Sequence, residues 1–235
     1  MSKLNNIAFY VLVFTLISAT ILLFSRTLSL YITSMTKPPV PKNHYSILID
    51  LEEKKLYLLN NGKLYKKYPC AVGAPSTPSP IGSFKINRKE KWGEGFGGYW
   101  MGINCSWGNY GIHGTTMPST IGSEASHGCF RMYNKDVEEL YNLVPIGTVV
   151  SVTGGCYGAF GKGFRVITPY MYGRDVQVVQ QRLKKLGYYD SYCDGIYESE
   201  YFKRAVHRFQ RDHGLPISDN IDMKTLNALG FIMMD

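Results

Sequence analysis

The spacing of apolar positions changes along the chain, and each change predicts a different kind of structure. Residues 7–24, IAFYVLVFTLISATILLF, form an uncharged, almost wholly apolar run. As a helix this run is about 27 Å long, close to the hydrocarbon thickness of a bilayer. It is longer than the apolar core of a cleaved signal, and no A-x-A-like site follows it. The expectation is one uncleaved N-terminal transmembrane helix. Lys37-Pro-Pro-Val-Pro41 then reads as a short, stiff, extended spacer.

Beyond the spacer the pattern becomes short and strand-like. Residues 45–50 and 55–59 are strand runs, and Asn60-Asn61-Gly62 between them and residues 63–68 is a hairpin turn. Asn and Gly tolerate the positive φ that tight hairpins need. Pro75, Pro78, Pro80 and Gly82 interrupt the chain before a strand at 83–86, and 148–152 reads as a closing strand. Residues 135–143 carry Val137, Leu140 and Tyr141 at helical spacing. Several short strands with turns predict a sandwich or barrel-like sheet. Five glycines fall within residues 154–163, which reads as a linker. The period then turns helical at 175–186 (Val176, Val179, Leu183, Leu186), 199–213 (Phe202, Ala205, Val206, Phe209) and 222–229 (Leu226, Leu229), predicting a small three-helix bundle. The expected domains are an anchor and spacer (1–43), a mainly β domain (44–153), a Gly-rich linker (154–168) and a small all-α domain (169–235).

Composition narrows the function classes. Hydrophobic residues make up 45% of the 235 and charged residues 19%, enough to bury a core and too few charges for a disordered tail. The net charge of +8 is unevenly placed. Residues 1–44 hold four Lys or Arg and no acid, while 45–153 and 154–235 each hold eleven basic and nine acidic residues. No concentrated basic stripe is left for nucleic acid. The mild excess suits an anionic polymer such as a cell wall.

The chemistry concentrates in Ile112-His113-Gly114-Thr115 and Ser126-His127-Gly128-Cys129-Phe130-Arg131-Met132. A thiol becomes a good nucleophile when a nearby imidazole or cation stabilises its thiolate. Cys129 has His113, His127 and Arg131 within sixteen residues. Gly114 and Gly128 suit a backbone that approaches a substrate closely. Backbone N–H groups at Gly128 and Cys129 could hold an oxyanion, and Arg131 could bind a carboxylate. Two other readings stay open on residue types alone: a buried cysteine with structural histidines, and a zinc set of His113, His127 and Cys129.

These segments resemble the L,D-transpeptidase (YkuD-type) catalytic domain, whose signature is similar to His113-Gly-Thr followed by Ser126-His-Gly-Cys-Phe-Arg-Met. The upstream Tyr68-Pro-Cys-Ala-Val-Gly73 and Thr77-Pro-Ser-Pro-Ile-Gly-Ser-Phe84 resemble that family's segment ending in T-P-x-G-x-F, here one residue longer at Ser79. The tail resembles a three-helix peptidoglycan-binding domain, with Asn220 where that family commonly has Gly.

The resemblance implies an L,D-transpeptidase-like sandwich in which Cys129 is the nucleophile and His113 its base, oriented through Nδ1 by a carbonyl near Gly114. His127, Gly128 and Gly114 would support the oxyanion, and Arg131 and Ser126 would contact substrate. The reaction would release D-alanine from a stem tetrapeptide through a thioester and form a 3→3 cross-link, with no metal or organic cofactor. The partners implied are peptidoglycan stem peptides and, through the N-terminal helix, the cytoplasmic membrane. Nucleic acid is not a partner. A monomer is expected, single-pass in the cell membrane, with its catalytic domain facing the wall. The alternatives are an L,D-carboxypeptidase, with water as acceptor, and a non-catalytic wall-binding protein. Cys70, Cys105, Cys156 and Cys193 are either isolated thiols or disulfide partners.

Overall fold

The computed structural model describes residues 2–35 and 43–231. It divides into two compact units, one reaching Asn43 and one starting at His44. In the first, α1 (Ser2–Met35) is a single continuous helix. Among the described residues no helix is long and apolar enough to cross a membrane. This overturns the expected transmembrane anchor and the single-pass location in the cell membrane. The apolar run of the sequence ends at Phe24. Ser25, Arg26 and Thr27 follow it at once, and the Ser25 and Thr27 hydroxyls donate to their own helix at 2.9 Å. The expected spacer at 37–41 lies outside the described residues.

The second unit opens with β1 (Tyr45–Asp50), β2 (Lys55–Asn60) and β3 (Lys63–Pro69). Asn61 (φ 51°) and Gly62 (φ 75°) form the two-residue β2–β3 turn, the primed geometry that matches strand twist. Alternate residues Ile47, Ile49, Leu56 and Leu58 face inward and are fully buried. There follow β4 (Val72–Gly73), β5 (Gly82–Glu90), β6 (Trp100–Ile103), β7 (Gly111–His113), β8 (Glu124–Ser126), β9 (Phe130–Arg131), α2 (Asn134–Leu143) and β10 (Val149–Thr153). Eight strands join in the order β3-β2-β1-β10-β5-β6-β7-β9, and β4 pairs with β8. The closing strand β10 inserts between β1, to which it is parallel, and β5. Val137 and Leu140 of α2 share one core with the sheet.

A second core gathers α3 (Arg174–Lys185), α4 (Glu200–Asp212) and α5 (Met223–Ala228) around Val176, Leu183, Phe202, Phe209 and Leu226. Ser199 caps α4 by accepting from the N–H groups of Tyr201 and Phe202, and Asp222 caps α5 through Thr225. Asn220 is not among the residues with positive φ, so it does not take the left-handed turn that a Gly there would suggest.

The glycine-rich segment is folded onto this second core. Phe160 and Phe164 stack at 4.3 Å and join it. A Cβ at Gly155 would lie 2.0 Å from the Gly161 carbonyl oxygen, so the loop closes on itself. The two cores also touch directly. Trp107 packs edge-on against Phe84 at 5.9 Å, and its ring lies 2.7 Å from where a Cβ at Gly195 would stand. Gly195 has φ +82°, so both space and backbone require glycine there. Ser106 Oγ donates to the Asp194 carbonyl at 2.7 Å, and Ile196 packs on the β core.

Candidate active site

His113 ends β7, and Cys129 immediately precedes β9. These strands run parallel with His113 opposite Arg131. Parallel partners share a face, and side chains repeat every second residue. That register sets His113 and Arg131 on one side, and Cys129 lies in the bend just before β9. Arg131 acts electrostatically on both the imidazole and the thiol, and a backbone contact with Gly111 favours the thiolate.

The imidazole is held in an aromatic box. Trp100, its cross-strand neighbour, stacks on the ring at 5.3 Å, and Phe96 meets it edge-on at 5.0 Å. His113 is 6% exposed, and burial lowers its pKa from the ordinary value to about 4, Arg131 adding to the fall. The ring is therefore neutral at pH 7. Its Nδ1 lies 2.6 Å from the Gly114 carbonyl oxygen. A carbonyl only accepts, so Nδ1 carries the proton and Nε2 presents a lone pair. Asn134 Oδ1 accepts from Thr115 N at 2.8 Å and fixes the turn that aims this carbonyl. Gly114 is needed for close approach: a Cβ would stand 2.5 Å from Asn134 Oδ1 and 2.8 Å from Gly97 Cα. Its N–H donates to the Phe96 carbonyl at 3.0 Å, so Gly114 supports the base rather than an oxyanion.

Residues 127–129 form a bend, not a strand, with Gly128 at φ +103°. His127 is exposed and opens onto a neighbouring cleft. Ser126 is 1% exposed; its Oγ donates to the Cys129 carbonyl at 2.6 Å and accepts from Gly128 N at 3.1 Å. It clasps the bend, and its hydroxyl is spent on that clasp. The Gly128 N–H is thereby engaged, and of the two expected oxyanion donors only Cys129 N–H has no partner among the described residues.

Sequence reasoning missed the group that sets this peptide. Ser79 is buried; its Oγ donates to the Gly128 carbonyl at 2.9 Å and accepts from Gly73 N at 2.8 Å. In a trans peptide, C=O and the following N–H point oppositely. Holding the Gly128 carbonyl therefore aims the Cys129 N–H away from Ser79. Thr77 Oγ1 ties the same loop to the Ser126 carbonyl at 3.0 Å. Ser79 is not an insertion: Ser79-Pro-Ile-Gly-Ser-Phe84 meets the T-P-x-G-x-F pattern with Ser in the place of Thr. That substitution was the available signal.

The five cysteines form no disulfide. Burial pushes Cys70 up to about 12 and Cys105 up to about 11. It raises Cys129 too, but there Arg131 and the Gly111 backbone oppose the rise. The imidazole thus rests neutral and the thiol protonated, the states from which a cysteine–histidine pair starts. Such a pair can pass a proton from sulfur to Nε2 as sulfur attacks a carbonyl. Among the described residues no three His, Cys, Asp or Glu side chains gather as metal ligands.

The L,D-transpeptidase catalytic domain model, YkuD, matches residues 44–152, and that of the "Putative peptidoglycan binding domain" matches residues 172–229. The "Putative L,D-transpeptidase YkuD" of Bacillus licheniformis is 47% identical over 110 residues, 46% of this chain and 66% of its own. The protein of the same name from Bacillus subtilis is 45% identical over 109 residues, 46% of this chain and 65% of its own. The match thus spans just under two thirds of these relatives' length. The NMR structure of the catalytic domain from E. faecium L,D-transpeptidase is 28% identical with a TM-score of 0.42, covering 46% of this chain and 96% of that one. At the level of domains, the chain thus combines an L,D-transpeptidase (YkuD-type) catalytic domain at residues 44–152 with a peptidoglycan-binding domain at residues 172–229.

Proposed function

We propose that this protein is a cell-wall L,D-transpeptidase acting through a Cys129 thioester. The observation that carries the reading is the anchored neutral imidazole: Nδ1 of His113 is committed to the Gly114 carbonyl, which leaves Nε2 as the free base, and Arg131, paired across from His113, acts on the Cys129 thiol as well. Sγ attacks the carbonyl of the third, diamino residue of a stem tetrapeptide while Nε2 takes the thiol proton. Cys129 N–H, aimed by Ser79, stabilises the oxyanion, with His127 at the mouth of the site. The bond to D-alanine breaks as the imidazolium returns its proton to the leaving amine. A neighbouring stem's amine then attacks the thioester, loses a proton to Nε2 and forms the 3→3 amide. The thiolate recovers that proton. Arg131 favours the thiolate form throughout.

Incubation with disaccharide-tetrapeptide, followed by mass spectrometry, tests the reading. A cross-linked dimer, free D-alanine and a transient adduct on Cys129 are expected. Tripeptide without dimer would reassign the enzyme as an L,D-carboxypeptidase; no product and no Cys129 adduct would sink both activities.

A further inference from the structure

His127 opens onto a cleft of about 600 Å³, within the range of small-ligand sites. One wall belongs to the catalytic domain: the loop from Pro75 to Ile81, with Trp107 and Tyr110. The other belongs to the segment leading into α3: Lys162, Arg165 and the stretch from Tyr170 to Asp175. The cleft therefore exists only because the two domains are docked, and it leads from the helical domain to the catalytic bend. Tyr110 joins the two parts. It lines the cleft, and a Cβ at Gly128 would stand 2.5 Å from its ring.

The charges in this cleft are unequal. Arg165 grips Asp175 with two contacts, 2.6 and 3.2 Å, so the acid is already neutralised. Lys162 reaches Glu124 at 3.4 Å at the outer edge. Arg174 has a neutral hydrogen-bond partner, Gln177, and enters none of the ion pairs among the described residues. One half-buried guanidinium thus faces the cleft with its charge uncompensated. Beside it stand Tyr172 and Tyr170, both exposed. Tyr170 is 78% exposed and held at φ +70° by its N–H to the Tyr197 carbonyl, 2.6 Å. A bulky residue at positive φ is strained, and strain of this kind gathers at functional sites.

We propose that this cleft binds an acidic stem peptide, with Arg174 taking a carboxylate and Tyr170 and Tyr172 covering the aliphatic backbone face. The helical domain is then a wall of the substrate site as well as a tether to the polymer. The proposal rests on the peptidoglycan reading above and adds residues that the catalytic motif does not contain.

The test uses full-length protein and a soluble stem tetrapeptide. Arg174→Gln should raise KM for the stem about tenfold or more, with kcat within about threefold. Tyr172→Ala should act in the same direction, and Lys185→Gln, a surface cation of the same domain, should change neither. A stem with amidated carboxylates should bind wild type as weakly as the acidic stem binds Arg174→Gln. Rates of thioester formation and of aminolysis, measured separately, tell donor from acceptor stem. Calorimetric titration of Cys129→Ala protein with the same peptide reads binding without turnover. Binding that depends on Arg174 supports the cleft even if catalysis is not seen. Unchanged KM and Kd in Arg174→Gln, with the variant folded and Cys129 alkylated at the wild-type rate, would overturn it.

Discussion

The β domain and the helical domain hold their functional groups in opposite ways. In the first, the proposed base is sealed between Trp100 and Phe96, its charge removed by burial and one nitrogen tied to a carbonyl. In the second, Arg174, Tyr170 and Tyr172 line an open cleft and keep their charge and faces available. The difference fits the roles proposed for each. Proton transfer needs a fixed lone pair in a place where water does not compete. Recognition of a flexible polymer needs side chains it can reach from solvent. His113 and His127 repeat the contrast within one site, one boxed and the other open to the cleft.

Four experiments would break or sharpen that contrast. The largest effect is expected from Cys129→Ala, which should abolish thioester formation, read as loss of the acyl adduct by mass spectrometry. Cys70→Ala, at a buried thiol pushed up to about 12, should keep the adduct while losing some stability. An adduct surviving in Cys129→Ala would move the nucleophile elsewhere.

Next, Trp107→Ala should cost about 3 kcal/mol, because a nearly buried indole is removed from between the two cores. Thermal unfolding should then show the helical domain melting first. A single unshifted transition would mean that Trp107 does not dock the domains.

Ser79→Ala should lower kcat about tenfold and leave KM nearly unchanged, since it frees the Gly128 carbonyl and loosens the Cys129 N–H. Ser79→Thr should restore the rate, which a purely steric role would not predict. If Ser79→Ala instead changes only stability, the loop is a scaffold and does not position the oxyanion donor.

The smallest effect concerns pH. Because burial lowers the His113 pKa from 6.5 to about 4, the imidazole stays basic well into acid. kcat/KM should fall by less than about twofold between pH 7 and 5, and steeply only near pH 4. The same shift predicts a stability slope. The unfolded chain binds a proton at His113 below pH 6.5 that the folded chain refuses until about 4, so stability falls as pH drops through that window. His113→Gln should flatten the slope. An acid limb near pH 6.5 in the wild type would mean that the box does not exclude the charged ring.

Much of this was legible from local signals. The Asn61-Gly62 turn, the alternating strands and the capped helices α4 and α5 follow from positive-φ tolerance, periodicity and capping, and these need no distant partner. Cys129 and His113 stood out because a short motif names them. What stayed hidden was set by contacts between residues far apart in sequence. Ser79 looked like an insertion until its hydroxyl met the Gly128 carbonyl, 49 residues on. Ser126 looked accessible until the bend turned it inward. The apolar period at 7–24 suggested a membrane helix, which no described helix is long and apolar enough to be.

By itself, then, the sequence determined the order of elements, the chemistry of the thiol and imidazole, and the family motifs, because spacing and residue type act over a few positions. Tertiary structure alone decided which imidazole is dry, which N–H is left for an oxyanion, and that Trp107 and Gly195 lock two cores into one unit with a shared cleft. Burial, hydrogen-bond competition and close packing depend on what the rest of the chain brings alongside, and a linear pattern does not contain that.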